Sequence, residues 1–496
     1  MKRRTKIALG LLLGLALWVG WHIQRWGQPI PLAYERVAPG RYRLLASART
    51  IYVAEDADGD GTVDRVYPEG APERGFRRPT PGDAHARWLV VCLDGVPYAE
   101  MQALWEEGYF REFFRPVPVI SPFPSASGLA LTALFHTEPV AGYEDSYFDR
   151  ARNRFAGGPL KTTTLADIPY LELLDYDMPG YLRGPAYLLP VKSYRADLGR
   201  LRKRFLASRE KVFIAHLAST DSIYHVLQRE QARALLVEVD SLLRELYYSS
   251  AGNLRITLFS DHGNSLLASQ PVLLRAFLAE HGWRLTSALE GPRDVAVPAY
   301  GLIGFMAVYC QPAAVPELAR TLAEMEGVDF VVTTTDSGVA VRSRRGRAQL
   351  DWTPDAQQFR YRAEEGDPLV LAPLLAELGR AGKVTPDGYV ADADLFAATA
   401  QHRYPDPVYR LREWARNHVR NRADILVSFA PGYHQGNKIF EQLVTLQSAH
   451  GSLDRAQSTG FAMNTDGPLP PVLRAGDLLP AELFEPKHTP QAKRQE

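Results

Sequence analysis

The chain has 496 residues, of which 57 are Lys or Arg and 57 are Asp or Glu, so its formal net charge at pH 7 is zero. This balance provides no long-range field that would favour a nucleic acid or an anionic membrane surface as a partner. The hydrophobic fraction of 46% is ordinary for a globular protein, and a chain of this length can bury a large core, either in several domains or in one core with insertions.

The N-terminus combines a basic stretch with a long apolar run. "MKRRTK" precedes about 17 residues, Ile7 to Ile23, among which only His22 is polar. The run continues into a tryptophan-rich segment without a small-x-small cleavage site, so we predict an uncleaved membrane anchor over 1–27 rather than a cleaved signal peptide. Because positive residues stay cytoplasmic, the rest of the chain is expected on the periplasmic or extracellular side.

We predict that residues 28–84 form a short β-rich segment, which contains the Asp-rich loop "DADGDGTVD". Its acids occupy positions one, three, five and nine of a calcium-type loop, and Gly61 stands at position six, where the chain must turn sharply. Tyr67 stands at position twelve instead of the usual glutamate, so the loop is not a complete EF-hand. We predict a calcium site here, with a plain polar hairpin turn as the alternative. The predicted ligands are Asp56, Asp58, Asp60 and Asp64.

Buried strands alternate with helices after residue 84. The apolar runs at 88–93, 212–217, 254–259 and 423–430 are typical of strands covered on both faces, and amphipathic stretches lie between them. This pattern predicts an α/β fold with a mostly parallel sheet and helices on both of its faces. We assign 85–270 and 405–485 to this core, 271–404 to a small α+β insertion, and 486–496 to a disordered tail.

The two cysteines, Cys92 and Cys310, both lie in apolar strand-like runs. We predict that they are buried free thiols, because a disulfide-based exported fold would carry more cysteines than two.

Three of the predicted strands end in residues that bind metals. Asp94 follows the first strand, Asp221 and His225 follow the second, and Asp261 and His262 follow the third. Ligands of open α/β sheets bind beyond the carboxyl ends of the strands, so these residues are expected to meet in one crevice. Carboxylate oxygen and imidazole nitrogen are ligands that suit zinc. Each motif alone is weak evidence, whereas three together favour a metal site.

A nucleophile is predicted in "SPFPSASG". Ser127 precedes an apolar helical run, where its hydroxyl would either cap the helix or face an incoming anion. Ser125 is the alternative nucleophile. Gly263, which follows His262, would let the chain turn so that the adjacent Asp261 and His262 both point forward.

The order of these motifs resembles the alkaline phosphatase superfamily, and most closely its type I phosphodiesterase/nucleotide pyrophosphatase branch. The step from Pro124 to Ser127 is similar to the family's P-x-x-[Thr/Ser] step, and "SAHGSLD" supplies the family's late histidine as His450. The resemblance covers about 85–265 and 405–480. It implies two zinc ions, with ligands Asp94, Ser127, Asp261 and His262 for one ion and Asp221, His225 and His450 for the other.

Two departures concern the substrate contact. The family's Thr-Gly at the end of the nucleophile helix is His136-Thr137 in this chain. The asparagine that holds a phosphoryl oxygen in the family has no clear equivalent, with Asp145 and Asn153 as the nearest candidates. Two further histidines, His216 and His434, are predicted to be structural or to support the ligands.

The predicted function is therefore a two-zinc hydrolase of small phosphoric esters, similar to the phosphodiesterases and nucleotide pyrophosphatases, that acts through a serine nucleophile and a phospho-serine intermediate. A phosphomonoesterase, a phosphoryl transferase and an inactive anchored calcium-bound scaffold remain the alternatives. A sulfatase is less well supported, because "SASGL" lacks the proline and arginine of the sulfatase motif, and a serine hydrolase would require a nucleophile elbow that Ser127 lacks.

Overall fold

In the computed structural model, seven strands form the main sheet of the molecule, called here the core sheet. The structure describes residues 13–14, 16–18, 20–21, 34–38, 40–47, 50–80, 85–158, 168–299, 301–416 and 419–484. In spatial order, the core strands are Tyr176–Asp177, Val212–Leu217, Arg87–Leu93, Leu254–Phe259, Thr459–Asn464, Val117–Ile120 and Leu473–Arg474.

The core sheet is mostly parallel, as the sequence predicts. The exception is Thr459–Asn464, which pairs antiparallel with both of its neighbours. Residues along Arg87–Leu93 alternate between two hydrophobic clusters, with Val90 and Cys92 in one and Leu89, Val91 and Leu93 in the other. Both faces of the sheet are therefore covered, which explains why its strands are continuous apolar runs.

Helices pack on these two faces and join the strands. In chain order they are Tyr98–Glu106, Ser127–Leu134, Gly180–Leu188, Pro190–Ala207, Ser219–Val226, Arg229–Ser249, Lys438–Leu443 and Arg455–Ser458. The predicted amphipathic stretch near residues 224–248 is thus two helices, because the chain is extended at Leu227 and Gln228.

The region predicted as an α+β insertion builds a second sheet of nine strands. Its spatial order is Arg284–Leu285, Asp294–Ala296, Phe305–Cys310, Ile425–Phe429, Val328–Thr334, Gly338–Ser343, Gly346–Trp352, Gln358–Gly366 and Val390–Ala391. Its helices are Leu274–Glu280, Val315–Ala323, Ala372–Arg380, Asp392–Thr399 and Pro407–Ala415. Phe123 packs against Phe330 at 6.1 Å between ring centroids, so the two sheets share one core.

One strand lies in a different sheet from the one predicted. The run at 423–430 was assigned to the parallel core sheet, but Ile425–Phe429 lies inside the second sheet, antiparallel to both neighbours. A fully buried apolar run fits the interior of either sheet, so the sequence pattern does not reveal which partners it pairs with.

The N-terminal β-rich segment is a five-stranded antiparallel meander. Its strands are Tyr34–Ala38, Arg41–Ser47, Thr50–Glu55, Arg65–Pro68 and Phe76–Arg77. Tyr52 stacks on Tyr248 at 5.8 Å, which joins the meander to the helix Arg229–Ser249.

The remaining short elements complete the chain. They are the paired strands Ser146–Asp149 and Arg154–Gly157, the paired strands Gln270–Pro271 and Tyr433–His434, and the 3-10 turns Pro72–Arg74, Pro169–Leu173, Pro312–Ala314, Ala475–Asp477 and Ala481–Phe484. Both cysteines are buried free thiols, which confirms that prediction.

The predicted anchor over 1–27 falls mostly outside the described residues, and the predicted tail at 486–496 falls wholly outside them. In the part of the chain that the structure describes, no helix combines the length and apolarity needed to cross a membrane.

Candidate metal centre

Strand register brings the predicted ligands to one edge of the core sheet. Leu217 pairs with Leu93, and Phe259 pairs with Cys92, so three neighbouring strands end at nearly the same level. Because the strands are parallel, the residues that follow them meet beyond that edge. Each predicted ligand lies there, buried or, in the case of Ser127, nearly so. They are Asp94, Ser127, Asp221, His225, Asp261, His262 and His450.

The first group of side chains surrounds Ser127. Its Oγ donates a hydrogen bond to Asp94 Oδ1 at 3.1 Å and lies 3.2 Å from His262 Nε2. His262 Nε2 also lies 3.4 Å from Asp261 Oδ2 and 3.4 Å from Asp94 Oδ1. Four donor atoms from three different segments therefore converge on a small volume, as the resemblance implies for one metal ion.

The second group lies beside the first. Asp221 and His225 stand one turn apart on the helix Ser219–Val226, and Asp221 Oδ1 lies 3.1 Å from His225 Nε2, as the i, i+4 spacing predicts. His450 Nε2 lies 3.6 Å from the same oxygen. The rings of His450 and His262 stack with centroids 3.9 Å apart, so the two groups adjoin.

The orientation of the three histidines fits metal ligation. Each Nδ1 is hydrogen-bonded to a backbone carbonyl: His225 to Ser448 at 2.8 Å, His450 to Ser125 at 2.8 Å, and His262 to Gly263 at 2.9 Å. A carbonyl only accepts, so each Nδ1 carries a proton, and Nε2 is the ring nitrogen directed at the centre.

Two buried carboxylate oxygens indicate where cations fit. Asp221 Oδ1 and Asp261 Oδ2 are buried without a hydrogen-bond partner among the described residues. Burying an unpaired anionic oxygen is costly, and a divalent cation removes that cost. A Cβ at Gly95 would lie 2.8 Å from Asp221 Oδ1, so only glycine leaves this side of the centre open. The donor set of carboxylate, imidazole and hydroxyl is chemically suited to zinc.

The pKa of His450 agrees with ligation. Burial and the neighbouring His262 lower the pKa of His450 to about 3, so its imidazole is neutral at physiological pH. Neutral imidazole is the form that binds a metal.

Ser127 does not cap its helix, in contrast to one of the two roles predicted for it. The helix begins at Ser127 itself, Ala126 occupies the N-cap position, and no side chain caps this end. The Ser127 hydroxyl is consequently free to face Asp94 and His262. The Ser125 hydroxyl instead donates to the carbonyl of Pro122 at 3.0 Å and accepts from Arg410 at 3.0 Å. The geometry therefore favours Ser127 over Ser125 as the nucleophile.

His216 supports the first group from behind. Its Nε2 lies 3.1 Å from Asp94 Oδ2, and its Nδ1 lies 2.9 Å from Asp177 Oδ1. Burial lowers the pKa of His216, but the hydrogen bonds to Asp177 and Asp94 outweigh it and raise the pKa to about 10. His216 thus fixes one oxygen of Asp94 and leaves the other directed at Ser127.

His434 is structural, as predicted. Its Nδ1 lies 2.9 Å from Ser269 Oγ, and burial lowers the pKa of His434 to about 4.

A cavity of about 660 Å³ opens beside the metal ligands. Its volume is typical of a site for a small organic ligand. Tyr187 lines it and donates a hydrogen bond of 2.9 Å to Asp221 Oδ2. Nothing in the local sequence around Tyr187 indicates this role, because Gly180–Leu188 joins the site only through tertiary packing.

Acidic side chains occupy the wall where the resemblance implies an asparagine. Glu144 and Asp145 both line the cavity, whereas Asn153 accepts a hydrogen bond from the Leu289 amide outside it. Burial and the charges of Asp145 and Asp221 raise the pKa of Glu144 to about 8. Sequence reasoning identified Asp145 as a candidate and missed Glu144.

No protein-family model matches the chain, and no curated protein matches it either. Solved structures with a similar fold include phosphonoacetate hydrolase from Sinorhizobium meliloti 1021 in complex with phosphonoformate, which is 14% identical. That likeness covers 81% of this chain and 95% of the hydrolase chain, with a TM-score of 0.44. Human ectonucleotide pyrophosphatase/phosphodiesterase 5 is 11% identical over 80% of this chain and 92% of its own, with a TM-score of 0.43.

The murine form of the latter protein, as an inactive variant in complex with AMP, is 12% identical, with a TM-score of 0.40 over 80% of this chain and 93% of its own. Since the identities and TM-scores are low, the reactions in these names are those of the neighbours, and the chemistry of this chain follows from its own side chains.

The predicted calcium loop joins two strands of the N-terminal meander. Carboxylate oxygens of Asp56, Asp58 and Asp64 lie within 4.8 Å of one another. Asp60 is not in this group, and its Oδ1 accepts a hydrogen bond from the Thr62 amide at 2.7 Å.

Other contacts already engage this loop's acids. Asp56 accepts from the amides of Gly59 and Gly61 at 2.7 and 3.0 Å, and Arg78 forms an ion pair with Asp64 at 2.6 Å. Gly61 has φ of +91°, as the predicted sharp turn requires. These hydrogen bonds are also those of an ordinary Asp-rich turn, so calcium binding stays a prediction.

Proposed function

We propose that this protein is a two-zinc phosphodiesterase that uses Ser127 as its nucleophile. The observation that carries the proposal is the position of Ser127 Oγ, within 3.2 Å of both Asp94 Oδ1 and His262 Nε2 and beside the cavity. A serine that faces metal-ligating side chains and an open cavity is suited to attack a bound ester.

The proposed ligands divide as the two groups do. Asp94, Ser127, Asp261 and His262 would hold one ion, and Asp221, His225 and His450 would hold the other. A pair of zinc ions at such a site lowers the pKa of a bound hydroxyl and neutralises charge on the attacking and leaving oxygens of an in-line displacement.

The chain's own residues supply the remaining steps. Ser127 Oγ forms a bond to phosphorus and loses its proton to solvent, while the ester bond to one alcohol breaks and that alkoxide takes up a proton. Water then attacks the phospho-serine, the bond from Oγ to phosphorus breaks, and Ser127 regains a proton. The net reaction converts a diester and water into a monoester and an alcohol.

The charge of the cavity favours a diester over a monoester. Apart from the proposed metal ligands, the acidic and basic side chains among its described lining residues are Asp145, Arg183 and Glu144, and Glu144 is mostly uncharged at pH 7 because its pKa is raised to about 8. Arg183 donates to Asp177 at 2.7 Å, so its charge is already paired. A monoanionic diester meets less repulsion at such a wall than a dianionic monoester.

The test measures zinc content and turnover on the same preparation of the full-length chain. We expect about two zinc ions per chain and faster hydrolysis of bis-p-nitrophenyl phosphate than of p-nitrophenyl phosphate. Faster monoester hydrolysis would replace the proposal with a phosphatase. Bound zinc without hydrolysis of either compound would leave the transferase or the scaffold as the better account, and a folded chain that binds no zinc would contradict the mechanism.

We propose further that residues 1–27 anchor the protein and that the metal centre lies on the exported side. Alkaline carbonate extraction of membranes and protease accessibility in spheroplasts would test both parts.

Calcium is proposed for the loop of Asp56, Asp58, Asp60 and Asp64, with calorimetric titration of wild type against Asp58→Asn as its test.

A further inference from the structure

The cavity wall away from the metal ligands is apolar and aromatic. Its lining includes Tyr170, Met178, Tyr181, Leu302, Ile303 and Leu446. A small polar diester would leave most of this surface in contact with water. A substrate with a large apolar portion would bury it, at a gain of about 25 cal/mol for each Å² of apolar surface.

The same cavity offers no free cation for a polyphosphate chain. Among the lining residues that the structure describes, Arg183 is the one Lys or Arg, and it is paired with Asp177. Asp145 adds a carboxylate to this wall, whereas Glu144, whose pKa is raised to about 8, is mostly neutral at pH 7. A ligand with several phosphate charges would therefore find no unpaired Lys or Arg among the described lining residues, whereas a single phosphodiester charge would be held at the metal centre.

Exposed leucines lie at the mouth of the cavity. The helix Gly180–Leu188 lines the cavity and ends in Leu188, whose side chain is 58% exposed, followed by Leu189 at 45%. Leu443 also lines the cavity and is 61% exposed. The segments that carry Leu188 and Leu443 adjoin, because Tyr187, which precedes Leu188, packs against a cluster that contains Val444 and Leu446. Grouped exposed leucines around a cavity are typical of a surface that contacts lipid or an apolar partner.

One described residue of the N-terminal apolar run, Trp18, contacts the helix that lines the cavity. The ring of Trp18 lies 5.1 Å from that of Tyr181, which is on the helix that lines the cavity. Trp18 belongs to the run predicted to enter the membrane, so a membrane that holds this run would lie against the rim formed by Leu188, Leu189 and Leu443.

We propose that the substrate is a membrane amphiphile, namely a phosphodiester lipid whose apolar portion occupies the cavity while its phosphodiester lies at the metal centre. This inference rests on the proposed function and names its substrate class. The bonds that form and break are those given for the diesterase, and the lipid phosphodiester yields one alcohol and one phosphomonoester.

The first experiment uses soluble substrates and no variant. Phosphatidylglycerols with short acyl chains, kept below their micelle concentrations, are compared with bis-p-nitrophenyl phosphate on the full-length chain. The value of kcat/KM should rise by about threefold to fourfold for each methylene that the cavity buries. A value that does not change with chain length, in a chain that hydrolyses bis-p-nitrophenyl phosphate, would overturn the lipid inference and keep the proposed function. Failure with every diester would overturn both.

The second experiment tests the rim. The full-length chain is reconstituted in vesicles of equimolar phosphatidylcholine and phosphatidylglycerol, and lipid turnover is divided by turnover of bis-p-nitrophenyl phosphate. In the double variant Leu188→Asp/Leu189→Asp this ratio should fall about tenfold or more, because two leucines no longer enter the lipid. Leu206→Asp is the matched control, since Leu206 is 52% exposed and lies outside the cavity lining, and its ratio should equal that of wild type. An equal fall of this ratio in both variants, or no fall in either, would contradict the proposed contact of Leu188 and Leu189 with the lipid.

Discussion

The hydroxyl of Ser127 donates a hydrogen bond to Asp94 Oδ1 across 3.1 Å, although 33 residues separate the two in the chain. Asp94 ends a strand of the core sheet, and Ser127 begins a helix that follows another strand of that sheet. The contact therefore exists only in the folded sheet, and it fixes the predicted nucleophile against a predicted metal ligand.

Replacing Ser127 by alanine should abolish turnover and leave the metal content near that of wild type. The nucleophile is lost, whereas the carboxylates and imidazoles that would hold both ions remain, so kcat should fall by about 10³-fold or more. Turnover of bis-p-nitrophenyl phosphate and zinc content measured on the same sample check this. Ser125→Ala is the matched control, because its hydroxyl bonds to Pro122 and Arg410 and should affect stability more than kcat. Equal losses of kcat in both variants would count against Ser127 as the nucleophile.

Replacing His216 by leucine should weaken zinc binding without removing any ligand. His216 holds Asp94 Oδ2 and is itself held by Asp177. Loss of such an outer partner costs about 10-fold to 100-fold in metal affinity. Competition with a chromophoric chelator measures that affinity, and His434→Gln, which removes a buried histidine bonded to Ser269, serves as the control with unchanged affinity. Wild-type zinc affinity in His216→Leu would show that Asp94 needs no such support.

Asp261→Asn should have opposite effects on stability with and without metal. Burial and the charge of Asp94 raise the pKa of Asp261 to about 6 in the metal-free protein. Because the folded pKa lies above the unfolded value of 3.8, the stabilisation is complete below 3.8 and is lost as pH rises through 6. At pH 8 the metal-free variant should therefore be more stable than metal-free wild type by about 1–3 kcal/mol.

Zinc should reverse that order, because wild type gains stability by binding the ion and the variant lacks a ligand. Urea unfolding at pH 4 and pH 8, with chelator and with zinc, gives the four values required for each protein. A metal-free variant that is less stable than wild type at pH 8 would contradict the assigned electrostatics.

Arg244→Met should destabilise the fold far more than loss of an exposed arginine. Arg244 lies 3.1 Å from Glu112 and 2.8 Å from Asp240, and all three side chains are buried. Its removal leaves two buried carboxylates without a counter-charge, which costs about 3–5 kcal/mol. Arg202→Met, which breaks the more exposed pair with Glu245, should cost less than about 1 kcal/mol. Urea midpoints of the two variants check the difference, and similar values would show that the buried pair is not required.

Local sequence was sufficient to predict that most of the candidate metal ligands lie at one edge of the core sheet. Polarity changes abruptly where these strands end. The side chains that follow a buried strand within a few residues are Asp94, Asp221, Asp261 and His262, and His225 lies one helical turn beyond Asp221. Such a boundary is set by the chain itself, because an apolar run ends where the strand leaves the core. Parallel pairing then brings strand ends together without further information. The spacing of Asp221 and His225 likewise needed only the helical period.

Pairing between distant segments decided the rest. The run at 425–429 lies in the second sheet, where its antiparallel partners are distant in sequence. Its apolar pattern fits the interior of either sheet, so the pattern alone did not predict which sheet it joins. The choice of Ser127 over Ser125 depended on which hydroxyl faces Asp94 and which faces Arg410. The roles of His216, Tyr187 and Glu144 arise from contacts across helices and strands.

The sequence by itself thus determined the class of chemistry, because residue types and their positions after strands are local properties of the chain. Only the tertiary structure decided which side chains share one centre, how its cavity is charged, and what lies at the cavity mouth. Those properties depend on distances between segments remote in sequence, and such distances are set by packing of the whole core.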